Sequence, residues 1–395
     1  MSWKKVTVME ERKRFMQLLG EEDCPGVSAL CREFGISRKT AYKWIDRYRV
    51  SGCEGLADQS RAAHSHPNAI GLEIEQRIIQ ARHKFPRWGA KKLLGWLHKH
   101  GPKCSWPCPA SVSAIWERNQ MVRSRKRRRP VEPYQGALSM PRQPNDTWSI
   151  DHKGWWLAGN GDKCEPFTVS DLASRYVIRC VLGRSKGIEH VRPVLRNAFE
   201  EFGLPLTIRS DNGAPFASRA PLGLSQLSVW LLRLGIVHER IEAGKPQQNG
   251  CHERMHRTML EEQTAAVGNT LRQEQTRLNH WRDVFNNERP HEALGLDTPA
   301  CHYVASARAM PRRLPALEYP ARMQVRKVDT GGQFGWKGKH PFLTEALGGQ
   351  HVGFDPTDQD ATWTLWLGNM HLGSFDEKRL TVTWAKAATR HKHHD

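Results

Sequence analysis

Six cations in seven residues, Arg123, Arg125, Lys126, Arg127, Arg128 and Arg129 around Ser124, run up to Pro130 and divide the chain. A block of like charge repels itself and does not fold alone, so the segments on either side must each bury an apolar face of their own. At 395 residues the chain is too long for one ordinary core, and two to four domains are expected. Upstream of the block the apolar residues recur at helical spacing; from Thr147 onward they alternate in short β-rich runs.

The helical half has internal structure. Phe15, Leu18 and Leu19 lie among charges and suit a first amphipathic helix. From Val27 to Ile45 a short apolar helix breaks at Gly35 and restarts at Ser37, an N-cap residue, into a helix carrying Arg38, Lys39, Tyr42 and Lys43. This predicts a helix-turn-helix within a domain over residues 1–58, its apolar residues packed together and its basic face offered to the major groove. An ordinary helical hairpin with a solvated basic face is the plain alternative. A polar stretch through Asn68 reads as a linker, and helical spacing returns from Leu72 to Met121. A second helical domain over 68–122, of helix-turn-helix or winged-helix type, is expected there, with cations and Trp88 at a helix start near Phe85–Lys92; a spacer bundle fits the same pattern. Cys104 and Cys108, with His98 and His100 before them, have loose spacing for a zinc knuckle, and the neighbouring prolines suit a plain turn. The basic linker, 123–140, is read as following a phosphate backbone or minor groove through Arg125, Arg127 and Arg128. A solvated tail or a nuclear-localisation signal has the same composition.

Sixty Lys plus Arg against 41 Asp plus Glu give a formal net charge of +19, which points to a polyanion-binding surface, with nucleic acid the obvious partner. A ribosome-like structural protein or a membrane-surface binder would share the charge. No apolar stretch approaches the roughly 18 residues of a membrane span, and the charged start does not resemble a signal peptide, so a cytoplasmic protein is expected. Nine scattered cysteines, an odd number, suit reduced thiols better than a disulfide framework.

Downstream, Thr147–Asp151, Pro166–Asp171, Tyr176–Leu182 and Leu206–Asp211 read as strands and Ile188–Phe202 as a helix, a mixed α/β domain over 141–305. Asp151 and Asp211 each end a strand and precede a polar or Gly-containing loop, where carboxylates of neighbouring strands can converge without the cost of burial inside the sheet. Asp171, also at a strand end, reads as a turn residue with local hydrogen bonds. Then comes Gly244–Glu262, a turn-rich entry into a helix beginning with His252-Glu253-Arg254-Met255-His256. Alone, that pattern is the zinc-peptidase signature, two imidazoles one turn apart beside a general base. With Asp151 and Asp211, Glu253 instead becomes the third carboxylate of a cation site. The extended peptidase pattern, with a glycine and a third histidine, is missing.

Trp148-Ser149-Ile150-Asp151, Arg209-Ser210-Asp211-Asn212-Gly213, and Lys245 to Gly250 leading to Glu253-Arg254 resemble the integrase core of DDE transposases, a group spanning bacterial insertion-sequence enzymes and retroviral integrases. Asn286 to Gly295 with Thr298-Pro299 is similar to the segment that closes that core. The resemblance covers roughly residues 25 to 305 and rests on the ordered combination of these motifs. It implies an RNase H-like fold and a transposase that binds the terminal inverted repeats of a mobile element, cleaves at its ends and joins the 3′-OH ends to target DNA. Asp151, Asp211 and Glu253 would be both catalytic residues and metal ligands, holding two Mg²⁺ ions, with Mn²⁺ able to substitute. Hard cations prefer carboxylates, and a pair roughly 4 Å apart stabilises the attacking and leaving oxygens of an in-line displacement. Lys245 and Arg254 would contact phosphate, Asn212 and Asn249 would position loops or DNA, and the histidines would be incidental. The partners implied are double-stranded DNA, as transposon ends and target, and further copies of the chain in a dimer or tetramer, in a bacterial cytoplasm at the nucleoid. A catalytically inactive DNA-binding regulator of the same descent is the alternative, and a zinc metallopeptidase through His252, Glu253 and His256 a minor one.

After Pro311 short strands alternate with Gly-rich turns, predicting a small β-barrel over 320–388 that contacts DNA or a neighbouring subunit; the basic, His-rich end from Thr389 reads as a tail.

Overall fold

Two units, Met1–Ile70 and Gly71–Asp395, make up the computed structural model. It describes residues 7–60, 69–122, 138–183, 185–218, 220–242, 245–263 and 267–385. Arg125, Arg127, Arg128 and the tail from Thr389 fall outside these residues.

In the first unit, α1 (Val8–Leu19), α2 (Val27–Glu33) and α3 (Arg38–Ser51) pack through Phe15, Leu30, Ala41, Trp44, Ile45 and Leu56. A capping box opens α1: the Thr7 hydroxyl accepts from the Glu10 backbone N–H at 3.2 Å and the Glu10 carboxylate accepts from Thr7 N–H at 2.7 Å. Gly35, with φ +64°, makes the turn between α2 and α3 that a side chain would strain, and the Ser37 hydroxyl accepts from Thr40 N–H at 3.1 Å to start α3. The turn at Gly35 and the cap at Ser37 are those expected from sequence. Arg38, Lys39 and Lys43 are exposed, and Tyr42 is 53% exposed, on the helix whose other side is buried.

The second unit begins with α4 (Leu72–Lys84), α5 (Ala90–His100) and α6 (Pro109–Arg118), which pack on one another and bury Ile78, Leu93, Leu97, Val112 and Ile115. Then come β1 (Thr147–His152), β2 (Trp156–Leu157), β3 (Lys163–Asp171), β4 (Val177–Gly183), α7 (Ile188–Phe202), β5 (Thr207–Ser210), α8 (Gln226–Arg233) and β6 (Val237–Arg240). They are followed by α9 (Gly250–Gln263), α10 (Leu271–Asn287) and α11 (Pro299–His302). The sheet is mixed: β4, β3 and β1 pair antiparallel, whereas β1, β5 and β6 pair parallel, and β2 adds to β3. Strand side chains alternate between faces. Trp148, Ile150, Phe167 and Val169 therefore pack on α7 and α8 with Phe199, Leu227 and Trp230. Cys164, Cys180 and Leu182 meet Met255 and Met259 of α9 and Leu278, Trp281 and Phe285 of α10 on the other face.

The chain ends in β7 (Gln324–Lys327), β8 (His351–Pro356), β9 (Thr362–Leu367), β10 (Met370–Asp376) and β11 (Thr381–Trp384), paired antiparallel in sequential order. Of the small barrel expected from sequence, the five antiparallel strands are present, and no pairing joins β7 to β11 among the described residues. The apolar face of this sheet is filled in another way. The connection from β7 to β8 supplies Phe334, Trp336, Leu343 and Leu347, and Leu224 and Val229 of the mixed-sheet region complete the cluster.

Candidate active site

The parallel pairing of β1 with β5 sets Trp148 against Ile208 and Ser149 against Arg209. Asp151 and Asp211 each lie two residues beyond the last of these pairs, so the hydrogen-bond ladder itself brings the two carboxylates to adjacent strand ends. Alternation puts Ser149 and Asp151 of β1, and Thr168 and Ser170 of β3, on the face opposite Trp148, Ile150, Phe167 and Val169. That face is covered by α9. Asp171, one position further along β3, is fully buried and accepts from Asn145 N–H at 2.8 Å, Ser174 N–H at 2.7 Å and the Ser174 hydroxyl at 2.6 Å, the local turn role read from sequence.

Helix α9 divides the His-Glu-x-x-His pattern between its sides. His252 and His256 are each 1% exposed, whereas Glu253 is exposed. The Thr168 hydroxyl lies 2.7 Å from His252 Nε2 and 2.6 Å from His256 Nε2, and the Ser170 hydroxyl lies 2.7 Å from His252 Nδ1. His256 Nδ1, which has no hydrogen-bond partner, stands 3.7 Å from Asp151 Oδ2. Among the described residues, the group whose potential metal-ligand atoms all lie within 4.8 Å of one another is Asp151, His252 and His256. The two histidines, read from sequence as incidental, lie buried beside Asp151, and the burial of His252 removes it from contact with DNA.

Asp211 and Glu253 are felt at Asp151 through charge. Burial is the main cause that pushes the Asp151 carboxyl up to about 7; the Asp211 charge adds to it and the Glu253 charge adds less, against a backbone hydrogen bond at His152 and the charge of Lys153. Burial likewise holds His252 down at about 3 and His256 well below the usual imidazole value, so both are neutral. His152, next to Asp151, is lowered to about 4, again mainly by burial, and both its ring nitrogens lack a partner. A carboxyl that resists ionisation while it feels the charges of Asp211 and Glu253 suits a divalent cation, whose charge would offset that repulsion.

A network absent from the sequence reading holds the frame. Arg209 on β5 donates to the Glu239 carboxylate on β6 at 2.9 Å and to the carbonyls of Ser139 at 2.6 Å and Gln248 at 3.3 Å. The Ser149 hydroxyl donates to Asn249 Oδ1 at 2.7 Å, tying the start of α9 to β1, and Asn212 Nδ2 donates to the Ile241 carbonyl at 2.5 Å. Both asparagines position loops, one of the two roles expected for them. Gly213 N–H donates to Asp211 Oδ1 at 3.0 Å, and a Cβ at Gly213 would sit 3.2 Å from Asp211 Oδ2, so a glycine keeps room for that carboxylate.

On the exposed side of α9, Arg254 and Arg257 line a cleft of about 580 Å³ together with Arg87, Lys91 and Lys92 from the start of α5 and with Arg289. Glu261 and Glu292 are its acids. The Lys92 amine is lowered by burial and by the Arg289 charge. Gly89 and Cys108, which precede α5 and α6 at this cleft, make no side-chain cap, leaving backbone N–H groups at both helix starts. Lys245 pairs with Glu242 at 2.5 Å. Cys104 and Cys108 are exposed, and no metal-binding group forms around them among the described residues.

Models of the integrase core domain match residues 141–246, which hold Asp151 and Asp211, and 234–299, which hold Glu253. A homeodomain-like domain model matches 40–116, and a model of the C-terminal domain of IS481 family transposases matches 323–383. The 31.7 kDa protein of insertion element IS407 from Burkholderia multivorans is 27% identical over 72% of this chain and 96% of its own length. The 39.2 kDa protein of insertion element IS476 from Xanthomonas euvesicatoria is 29% identical over 62% of this chain and 69% of its own length. The chain thus carries an integrase core and is similar to insertion-element proteins over most of its length. Among solved structures this chain is similar to the HTLV-2 integrase catalytic core domain in complex with magnesium, at 17% identity and a TM-score of 0.30, over 41% of this chain and 98% of that one. An integrase core is that of a polynucleotidyl transferase, and no helix among this chain's described residues is long and apolar enough to cross a membrane.

Proposed function

We propose that the chain is a transposase that cleaves at the ends of its element and joins the 3′-OH ends to target DNA, with Asp151, Asp211 and Glu253 as the ligands of two divalent cations, Mg²⁺ in the first place. The observation that carries this is the Asp151 carboxyl, pushed up to about 7 by burial and by the charges of Asp211 and Glu253. A carboxylate cluster that repels itself this way is poised to accept positive charge. When bound, the cations would supply an activated oxygen nucleophile and stabilise the leaving oxygen. Asp151 and Asp211 hold their places by strand register, Gly213 keeps Asp211 unobstructed, and Asn249 fixes the start of α9 and with it Glu253.

Arg38, Lys39, Tyr42 and Lys43 would meet the major groove at the terminal inverted repeats, from the exposed side of α3. Arg254 would contact a phosphodiester backbone along the cleft, with Lys245 an exposed cation before the helix. Two DNA ends joined to one target require more than one copy of the chain. The test is strand transfer of an end oligonucleotide into plasmid with Mg²⁺, comparing the unaltered protein with Asp151→Ala, Asp211→Ala and Glu253→Gln. Joining should vanish in each; full activity in all three would sink the assignment, and end-specific binding without joining in the unaltered protein would point to a regulator.

A further inference from the structure

Helices α4 to α6 are held against the segment that follows α10. Lys84 pairs with Glu288 at 3.1 Å and Lys99 with Asp297 at 2.7 Å, and the Arg289 guanidinium lies 5.7 Å from the centre of the Trp88 ring. Gly95 lets α5 come close: a Cβ there would already touch Pro290 and Leu296 at 3.5 Å. The cleft between the starts of α5 and α6 and the exposed side of α9 therefore lies within one unit, between walls that these contacts hold in place.

The charge of this cleft is out of balance. Arg289 is committed to Glu262, but among the described residues Arg87, Lys91, Lys92, Arg254 and Arg257 make no ion pair, and the acids of the lining are Glu261 and Glu292. Cations gathered this way repel one another unless an anion lies among them. The uncapped N–H groups at the starts of α5 and α6 add partial positive charge to the same wall.

The lining also limits what that anion is. About 580 Å³ is the size of a small-molecule pocket, enough for a stretch of one sugar-phosphate backbone and too small for a duplex. At the two helix starts stand Ala90, Pro109, Ala110 and Ser113, too short to reach base edges, and no Asn or Gln lines the cleft among the described residues. Long cations over short side chains bind phosphate without reading sequence. Position supplies the rest. Arg254 follows Glu253 directly, and Arg257 lies about 6 Å along α9 from Glu253, close to the axial advance of two phosphates on one strand.

We infer that α4 to α6 form a phosphate clamp, in which Arg87 and Lys91 grip, without regard to base sequence, the backbone of the strand whose reacting phosphodiester lies at Asp151, Asp211 and Glu253. The inference deepens the proposed function and rests on it for the place of the reacting bond. The strand that runs along α9 is held from a second side, and choice among sequences is left to the first unit.

The test is a scan with neutral linkages. A duplex bearing the element end with its 3′-OH exposed carries one methylphosphonate at each linkage in turn, and a second set has a scrambled sequence. Binding is read by fluorescence anisotropy in EDTA for the unaltered protein, Lys91→Gln and Arg87→Gln/Lys91→Gln. Lys91 is exposed, so the single variant should fold as the unaltered protein does, and urea midpoints check both. In the unaltered protein neutral linkages within about three nucleotides of the 3′-OH should weaken binding roughly tenfold, alike on both sequences. In the double variant those linkages should cost little more, and in Lys91→Gln the penalty should be partly lost. Equal penalties in all three proteins overturn the clamp. A penalty confined to the element sequence overturns its indifference to bases, and sensitive linkages that lie more than one helical turn from the 3′-OH overturn its place beside the reacting bond. Failure of the unaltered protein to join ends with Mg²⁺ sinks instead the function beneath it, while the scan, read without metal, still decides whether α4 to α6 hold phosphate.

Discussion

The mixed sheet and the C-terminal sheet draw on similar strand residues yet gather different things. In the C-terminal sheet each strand turns back on its neighbour, and the face that is covered holds an aromatic cluster: Phe354 lies 4.8 Å from Trp336 and 4.9 Å from Phe334, centroid to centroid. In the mixed sheet a parallel pair puts two strand ends side by side, and both faces are covered by helices. Polar side chains on its inner positions must then find partners, as Thr168 and Ser170 do with the histidines of α9. Parallel pairing concentrates carboxylates at one edge, whereas the antiparallel meander concentrates apolar bulk.

The sharpest way to break this contrast is to exchange the consequences of damage in the two sheets. Asp151→Asn should reduce strand joining on the order of 10³-fold, because several kcal/mol of charge stabilisation depend on it, with the urea midpoint little lowered. Phe354→Ala should do the reverse. It should lower stability by about 3–5 kcal/mol while joining per folded molecule is retained; a loss of joining beyond the folded fraction would show that the C-terminal sheet takes part in the chemistry.

A smaller effect concerns pH. The folded value of Asp151, about 7, is above the ordinary aspartate value, so its contribution to stability is present at about pH 4 and is lost as pH rises through 7. Asp151→Asn escapes that loss. Its stability relative to the unaltered protein should climb between pH 4 and pH 7 in metal-free buffer, by up to a few kcal/mol, and Mg²⁺ should narrow the gap. His152, lowered to about 4, destabilises in the opposite direction as pH falls, but it is common to both proteins and cancels. Equilibrium urea unfolding at several pH values checks this, and a flat difference would remove the charge crowding at the strand ends. The smallest effect lies on the outer side of α9. Lys91→Glu or Arg257→Glu should each lower the salt dependence of DNA binding, the slope of log affinity on log salt, by about 1; an unchanged slope would take the cleft out of the DNA path.

Much of this was legible in the chain. Trp-Ser-Ile-Asp and Phe-Thr-Val-Ser show the period of two that separates an apolar face from a polar one, and Gly35 with Ser37 marks the turn in the first unit. Asp171 makes the local turn hydrogen bonds that its neighbours suggest. What could not be read was which helix covers the polar face. The contact of His256 with Thr168 and Asp151 spans about a hundred residues and depends on how α9 lies on the sheet. The signal was present as two histidines four residues apart, but spacing reports that they share a helix side and not what they face. For the C-terminal strands the same limit applies: short strands with glycine turns specify the antiparallel neighbours that are present, whereas closure into a barrel depends on contacts that spacing does not report.

The parallel register of β1 and β5 also bears on the life of the chain during its synthesis. On the proposed function no segment on its own contains the reactive centre, because Asp151, Asp211 and Glu253 are far apart in sequence and would be assembled only through long-range closure, the slow part of folding. A growing polypeptide that has not yet released α9 from the ribosome lacks one carboxylate altogether, and one that has not paired β1 with β5 lacks the arrangement of the other two. If the proposed function holds, incomplete or misfolded copies should therefore be unable to cut DNA.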